Sequence, residues 1–136
     1  MELKAIVDDA SYLAKHDPET FALIRRAGFG ASDSSILLGV NPFPDNTLTN
    51  LIMEKQSNTV SARELAIGQM VNVRKGTDLE PIIMEKFEDQ FSRGVYKPKA
   101  MFRIGDTPLT VNYDGIMELN NDMKIPVECK FLSVYG

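Results

Sequence analysis

The spacing of hydrophobic and polar residues changes along the chain, from a helical period to the alternation that is typical of strands. The last third predicts a meander of three strands, "AMFRIG", "PLTVNYDGIMEL" and "KIPVECKFL". Helices are predicted for residues 2–15 and 47–55 and for the segments "HDPETFALIRRAGFG", "SARELAIGQMVNVRKG" and "GTDLEPIIMEKFEDQFSRG". Helices followed by a small sheet predict an α/β domain of the layered α+β type.

Two of the predicted helices carry clear signals at their ends. Asp17 is placed to cap the second helix, with Pro18 at its first position and Gly28 just past its end. The segment that begins at Gly76 is the clearest helix, and Gly94 is its expected stop. Its apolar face consists of Leu79, Ile82, Ile83, Phe87 and Phe91.

Length and composition narrow the class of protein. The 136 residues suit a single domain, 1–136, with a core of its own. The chain has no apolar segment of membrane-spanning length and no signal-peptide pattern, so we expect a cytosolic protein. One cysteine, Cys129, and one histidine, His16, disfavour disulfides, Cys-rich zinc sites and Ser-His-Asp triads. The net charge of −4 disfavours broad DNA coating but allows DNA chemistry at a carboxylate and metal site.

The last two predicted strands point to such a site. Glu128 and Lys130 are two residues apart, so a strand presents them on one face, opposite Val127, Cys129 and Phe131. A turn centred on Asn121 would place Asp114 opposite Glu128, or within one pleat of it. Like charges in that position are destabilising, which suggests a cation between them. Oxygen ligands suit Mg²⁺, Mn²⁺ or Ca²⁺, and a neighbouring lysine can orient a metal-bound water.

A simpler interpretation of the same pattern stays open. Alternating charges are common on half-exposed hairpins, so Glu128 and Lys130 also fit a solvated face. Asp114 also fits a turn or edge position, with Gly115 marking a bulge.

Three motifs together resemble a known family. "NYDG" followed by "VECK" is similar to the PD-(D/E)xK nuclease signature. Upstream, "GTDLEP" and "GASDSSILLGVNPF" resemble two segments of the YqaJ-type viral recombinases, the family that includes phage lambda exonuclease. The order and rough spacing of the three motifs match from about Arg25 to Phe131.

This resemblance implies a restriction-endonuclease-like core with a small mixed sheet flanked by helices. It implies a Mg²⁺-dependent deoxyribonuclease, with Mn²⁺ as a substitute, that degrades double-stranded DNA from its ends, 5′ to 3′, in phage-type recombination. A homotrimer, a single-strand annealing partner and a phage or prophage origin in the cytoplasm of a bacterial host are implied as well. Relatives continue further, so the chain is expected to lack the family's C-terminal elements. A truncated, non-catalytic module that binds DNA ends or a protein is the alternative.

The resemblance also assigns roles to individual residues at the expected metal site. Glu80, Asp114 and Glu128 would bind Mg²⁺, and the backbone carbonyl of Cys129 would be a further ligand. Lys130 would position or activate the attacking water. In relatives a small residue often precedes the strand aspartate, whereas the bulky Tyr113 stands there in this chain.

A second set of residues would hold the terminal 5′-phosphate of the DNA. The resemblance assigns Ser32 to this role, with Arg25 matching by spacing and Arg26 as its neighbour, and Asn112 is able to hydrogen-bond a phosphate or a water. Lys97, Lys99 and Arg103 are candidates for contacts with the DNA backbone, although scattered bases usually have no specific role.

Structural alternatives exist for these residues too. Glu80 is spaced to complete a capping box with Thr77. Ser32 is able to cap the short helix that follows it, and Arg25 and Arg26 suit the negative end of a helix dipole.

Overall fold

A computed structural model describes residues 2–67, 70–120 and 122–130, and the side chains of residues 71 and 72 are left aside. Asn121 and Phe131, which the sequence placed in the hairpin, lie outside the described residues. Within the described residues the helices are α1 (Ala10–His16), α2 (Pro18–Ile24), α3 (Ser34–Leu37), α4 (Leu48–Gln56), α5 (Ala62–Ile67) and α6 (Val71–Phe91). The strands are β1 (Leu3–Val7), β2 (Val95–Tyr96), β3 (Met101–Ile104), β4 (Thr110–Val111), β5 (Gly115–Glu118) and β6 (Lys124–Val127).

The chain divides into two compact units. The first comprises Met1–Ser61 and Lys99–Asn112, and it contains an antiparallel sheet of order β1-β3-β4 together with α1 to α4. The second comprises Ala62–Pro98 and Tyr113–Gly136, and it contains an antiparallel sheet of order β2-β5-β6 with α5 and α6. The mixed α/β class is confirmed, and it is consistent with a nuclease-like core. The described strand ladders are antiparallel, whereas the family resemblance implied a mixed sheet.

The prediction of a helix over residues 2–15 is wrong. Residues Leu3–Val7 form β1, which pairs with β3 in antiparallel register from Leu3 opposite Ile104. The helix begins only at Ala10, after Asp9, whose side chain accepts a hydrogen bond from the Tyr12 amide at 3.0 Å. The strand forms because a distant segment provides its hydrogen-bonding partner, and the local hydrophobic period contains no information on that partner.

The predicted ends of the second helix are confirmed. Pro18 is the first residue of α2, and the Asp17 carboxylate accepts from the Thr20 amide at 3.2 Å and from its hydroxyl at 2.7 Å. The hydroxyl and the amide of Thr20 both lower the pKa of Asp17, the hydroxyl more. A 3₁₀ turn, Arg25–Ala27, continues the helix as far as Gly28.

The long helix α6 begins earlier and ends earlier than the sequence predicts. It begins at Val71, so Thr77 lies inside the helix and its hydroxyl donates to the Val73 carbonyl at 3.1 Å. Its last residue is Phe91, and the cap is Ser92, which adopts the left-handed conformation with φ 51°, instead of Gly94. Ile82, which belongs to the predicted apolar face, is 50% exposed. Met84, which does not belong to that face, is buried.

The predicted strand "PLTVNYDGIMEL" is two strands that belong to different sheets. β4 lies beside the Gly28 turn, where the Thr110 amide donates to the Phe29 carbonyl at 3.0 Å and Leu109 forms a parallel bridge with Phe29. Residues 112–114 carry no regular structure, and β5 then pairs with β2 and β6. The helix α6 packs against this second sheet at Gly115. Met84 Cε lies 3.4 Å from the position that a Cβ on Gly115 would occupy.

In the part of the chain that the structure describes, none of the helices combines the length and the apolar character that crossing a membrane requires.

Replacement of Gly28 by alanine should destabilise the protein by about 1–3 kcal/mol, because the added methyl group overpacks a backbone contact. A Cβ at this position would lie 2.4 Å from the Pro108 carbonyl oxygen. Urea unfolding measures the loss, and Gly30→Ala is the matched control, since its nearest neighbour is Thr110 Oγ1 at 3.8 Å. Equal losses in the two variants would contradict this account.

Candidate functional site

The ends of β5 and β6 bring Asp114 next to Glu128. The register pairs Glu118 with Lys124 and Gly115 with Val127, so the next positions outward are Asp114 and Glu128, as the sequence predicted. The strand β6 ends at Val127, so Glu128 to Lys130 follow the strand instead of continuing it as predicted. The Cys129 amide donates to Asp114 Oδ2 at 2.9 Å, which holds the two chain segments together beyond the ladder.

Glu128 and Lys130 form an exposed ion pair. Lys130 Nζ lies 2.5 Å from Glu128 Oε1, and the two side chains are 71% and 61% exposed. The hydrogen bond and the charge of Glu128 raise the pKa of Lys130, and Asp114 adds a smaller effect in the same direction. Lys130 is therefore an ammonium beside two carboxylates, and both residues of the Glu-x-Lys motif are open to solvent.

Glu80 reaches the same surroundings from the helix α6. Met84, one turn later on the same helix face, packs at Gly115, directly next to Asp114. The Glu80 carboxylate binds Lys97, with 2.6 Å between Oε1 and Nζ, and the side chains are 21% and 43% exposed. The capping-box alternative for Glu80 is wrong, because Thr77 is an interior helix residue.

Charged groups of the candidate site affect the pKa of Cys129. Burial raises the pKa of its thiol most, and the negative charges of Glu80 and Asp114 raise it further. The positive charges of Lys130 and Lys97 act in the opposite direction. The thiol is thus held in its protonated, weakly nucleophilic form, in keeping with a backbone role for Cys129.

The donor set of this cluster suits a hard divalent cation. Three carboxylates and a backbone carbonyl are oxygen ligands, which Mg²⁺ and Mn²⁺ prefer. Among the described residues, no group of three His, Cys, Asp or Glu side chains is arranged to hold a metal ion. Instead the carboxylates are engaged by internal donors, and the ammonium groups of Lys97 and Lys130 lie on Glu80 and Glu128. These ammonium groups show that the carboxylates favour positive charge, so the residues fit a cation by their chemistry.

The first unit contains a separate polar group around Ser32. Arg25 Nη2 donates to Ser32 Oγ at 3.3 Å, so the structure brings together two of the three residues assigned to the 5′-phosphate. Ser32 lies inside the 3₁₀ turn Ala31–Asp33, and Asp33 is the residue that precedes α3, so the interpretation of Ser32 as a helix cap is wrong. Asn112, the third residue, is an exposed position directly after β4.

The turn that carries Ser32 is fixed by a buried ion pair. Lys55 Nζ lies 3.1 Å from Asp33 Oδ2, and both side chains are almost completely buried. Asp33 also accepts from the Gly30 amide at 3.0 Å, and Lys55 donates to the Arg25 carbonyl at 3.0 Å. Sequence reasoning did not find this pair, although a lysine on an otherwise apolar helix face was a signal for it.

Two of the other basic residues are structural. The Arg26 guanidinium donates to the carbonyls of Glu54, Ala22 and Thr59 at 2.8–2.9 Å, which ties α2 to the end of α4. Arg103, a candidate for DNA contact, donates to the Ala27 carbonyl at 2.9 Å.

A family model, the YqaJ-like viral recombinase domain, matches residues 20–135. The match covers most of the chain and all of the motifs described above. The chain belongs to this family. Members of the YqaJ-like family are generally nucleases of phage-type recombination. Searches of curated proteins and of solved structures gave no significant match.

In this YqaJ-like domain the two neighbouring arginines should differ in their effect on stability. Arg26→Gln should reduce the free energy of unfolding by about 1–2 kcal/mol, because three carbonyl groups lose a charged donor. Arg25→Gln, the matched control, should cost less than about 0.5 kcal/mol, because its contact is an exposed one with Ser32. Urea unfolding of both variants measures the difference, and an equal cost would contradict the division of roles.

Proposed function

We propose that this YqaJ-like domain is a Mg²⁺-dependent deoxyribonuclease that hydrolyses phosphodiester bonds from the ends of duplex DNA. The observation that carries the proposal is the hairpin end where Asp114 and Glu128 lie beyond the last ladder pair, with the Cys129 amide bonded to Asp114 and Lys130 paired to Glu128. Family membership supports it, because members of the YqaJ-like family are generally nucleases. Glu80, Asp114, Glu128 and the Cys129 carbonyl would hold the metal.

Bound Mg²⁺ or Mn²⁺ would supply Lewis-acid stabilisation of the charge that develops on the phosphate. The residues of the chain would perform the positioning. Asp114 has its carboxylate direction fixed by the Cys129 amide, so little reorganisation is needed there. The exposed Lys130 ammonium would donate a hydrogen bond to the attacking water and orient it towards phosphorus.

Arg25 and Ser32 would bind the terminal 5′-phosphate, with Asn112 as a further donor. A guanidinium and a hydroxyl in contact present several N–H and O–H donors to one anion, and charge-assisted bonds of this kind are strong. Binding of this terminal group would make the enzyme depend on DNA ends and would set a 5′ to 3′ direction of degradation.

A non-catalytic module that binds DNA ends is the second candidate function. The observation that favours it is the absence, among residues 2–67, 70–120 and 122–130, of a preformed group of three metal-ligating side chains. Such a module would keep the Arg25–Ser32 site and would bind 5′-phosphorylated ends without cutting them.

Degradation of linear, 5′-phosphorylated duplex DNA in Mg²⁺ or Mn²⁺ tests the first proposal. We expect loss of the linear substrate while a closed circle stays intact. Lys130→Ala and Asp114→Asn should each reduce the initial rate by about 100-fold or more, because each removes a group from the reacting centre.

Lys124→Ala is the matched control for this experiment. Lys124 pairs with Glu118 at 3.6 Å at the opposite end of the same hairpin, so its removal should leave the rate unchanged. Binding of DNA ends by the wild-type protein without any cleavage would contradict the nuclease proposal and support the second candidate.

The ratio of initial rates on 5′-phosphorylated and 5′-hydroxyl ends tests the role of Arg25 and Ser32. Arg25→Gln and Ser32→Ala should each lower this ratio by about tenfold, because one charge-assisted or hydroxyl contact to the phosphate is lost. Lys4→Gln, which breaks an exposed pair with Asp106 in the same unit, is the control and should retain the wild-type ratio. An unchanged ratio in the Arg25 and Ser32 variants would refute the assignment.

A further inference from the structure

Lys97 reaches the carboxylate cluster from the side opposite to Lys130. It directly follows β2, where Tyr96 pairs with Ile116, so the register continues with Lys97 opposite Gly115. β5 is the central strand of the order β2-β5-β6, which places Lys97 and Lys130 beside the flanking strands on either side of Asp114. The cluster therefore has two lysines, of which the nuclease motif accounts for one.

The two lysines differ in how firmly they are held. The Lys130–Glu128 pair is mostly exposed, and exposed pairs contribute little net stability. Glu80 is only 21% exposed, and Lys97 Nζ lies 2.6 Å from its Oε1. A partly buried pair is screened by salt and water less than an exposed one, so the Lys97–Glu80 contact is the stronger of the two.

We propose that Lys97 is the internal counter-ion of the metal site, which holds Glu80 in the absence of metal and is displaced when a divalent cation binds. The inference rests on the proposed function, because it takes Glu80 as a metal ligand. A divalent cation at an oxygen of Glu80 would lie within a few ångströms of the Lys97 ammonium and would repel it. The two cations therefore compete for one carboxylate.

This competition has two consequences. The apparent affinity for metal is reduced by the fraction of the protein in which Lys97 occupies Glu80. In return, Lys97 provides Glu80 with a counter-ion before metal binds.

Titration calorimetry with Mn²⁺, in the absence of DNA, tests the inference on Lys97→Met, which retains the apolar stem and removes the charge. We expect the dissociation constant for Mn²⁺ to fall about tenfold, equivalent to about 1.4 kcal/mol. The metal-free variant should also melt at a lower temperature than the wild type and should gain more thermal stability on addition of Mn²⁺. Lys124→Met is the matched control, with wild-type values expected for both quantities.

The outcomes separate this inference from the proposed function. Binding of Mn²⁺ by the wild type, with equal or weaker binding by Lys97→Met, would overturn the inference and leave the metal site in place. Absence of Mn²⁺ binding in both proteins would overturn the inference together with the metal dependence. If Lys97→Met does not fold, Lys97→Gln, whose amide can still bond to Glu80, provides the same comparison.

Discussion

The register of the β5–β6 hairpin is the constraint on which the candidate site depends. Side chains alternate between the two faces of a strand, so a slip of one residue would move Glu128 to the opposite face. The pairing of Gly115 with Val127 sets Asp114 and Glu128 side by side, and the hydrogen bond from the Cys129 amide to Asp114 fixes this arrangement beyond the last ladder pair. A Cβ on Gly115 would lie 2.5 Å from Val95 Cγ1 on the neighbouring strand β2, and Met84 of α6, the helix that carries Glu80, packs at the same position.

Features that depend on neighbouring residues could be predicted from the sequence. The turn formers around Asn120 and the alternating pattern on either side fixed the hairpin register, and Asp17 with Pro18 determined the start of α2. Features that depend on distant partners could not be predicted from the sequence. The sequence of β1 has a helical pattern, and only its pairing with β3 makes it a strand. Residues 112–114 interrupt a continuous apolar pattern because the strands on either side of them belong to different sheets.

The same distinction applies to the candidate site. Residue types and their spacing pointed to Asp114, Glu128 and Lys130, and the family resemblance added Glu80. The contacts that occupy these carboxylates could be seen only in the three-dimensional structure. Lys97 is 17 residues from Glu80, and nothing in the local pattern connects them. Both adjacent arginines suit the end of a helix dipole by sequence. In the structure Arg26 donates to backbone carbonyl groups, whereas Arg25 lies beside Ser32.

The buried ion pair of Asp33 with Lys55 gives Asp33 a structural role in the turn that carries Ser32. Asp33 follows Ser32 directly, but its carboxylate points into the protein, where it joins the turn to α4 through Lys55 and to Gly30 through a backbone amide. A buried charge that loses its partner destabilises a fold strongly. Asp33, next to the serine that we propose binds the 5′-phosphate, is thus part of the scaffold. Variants of Asp33 would report on folding of the turn instead of on contacts with a phosphate.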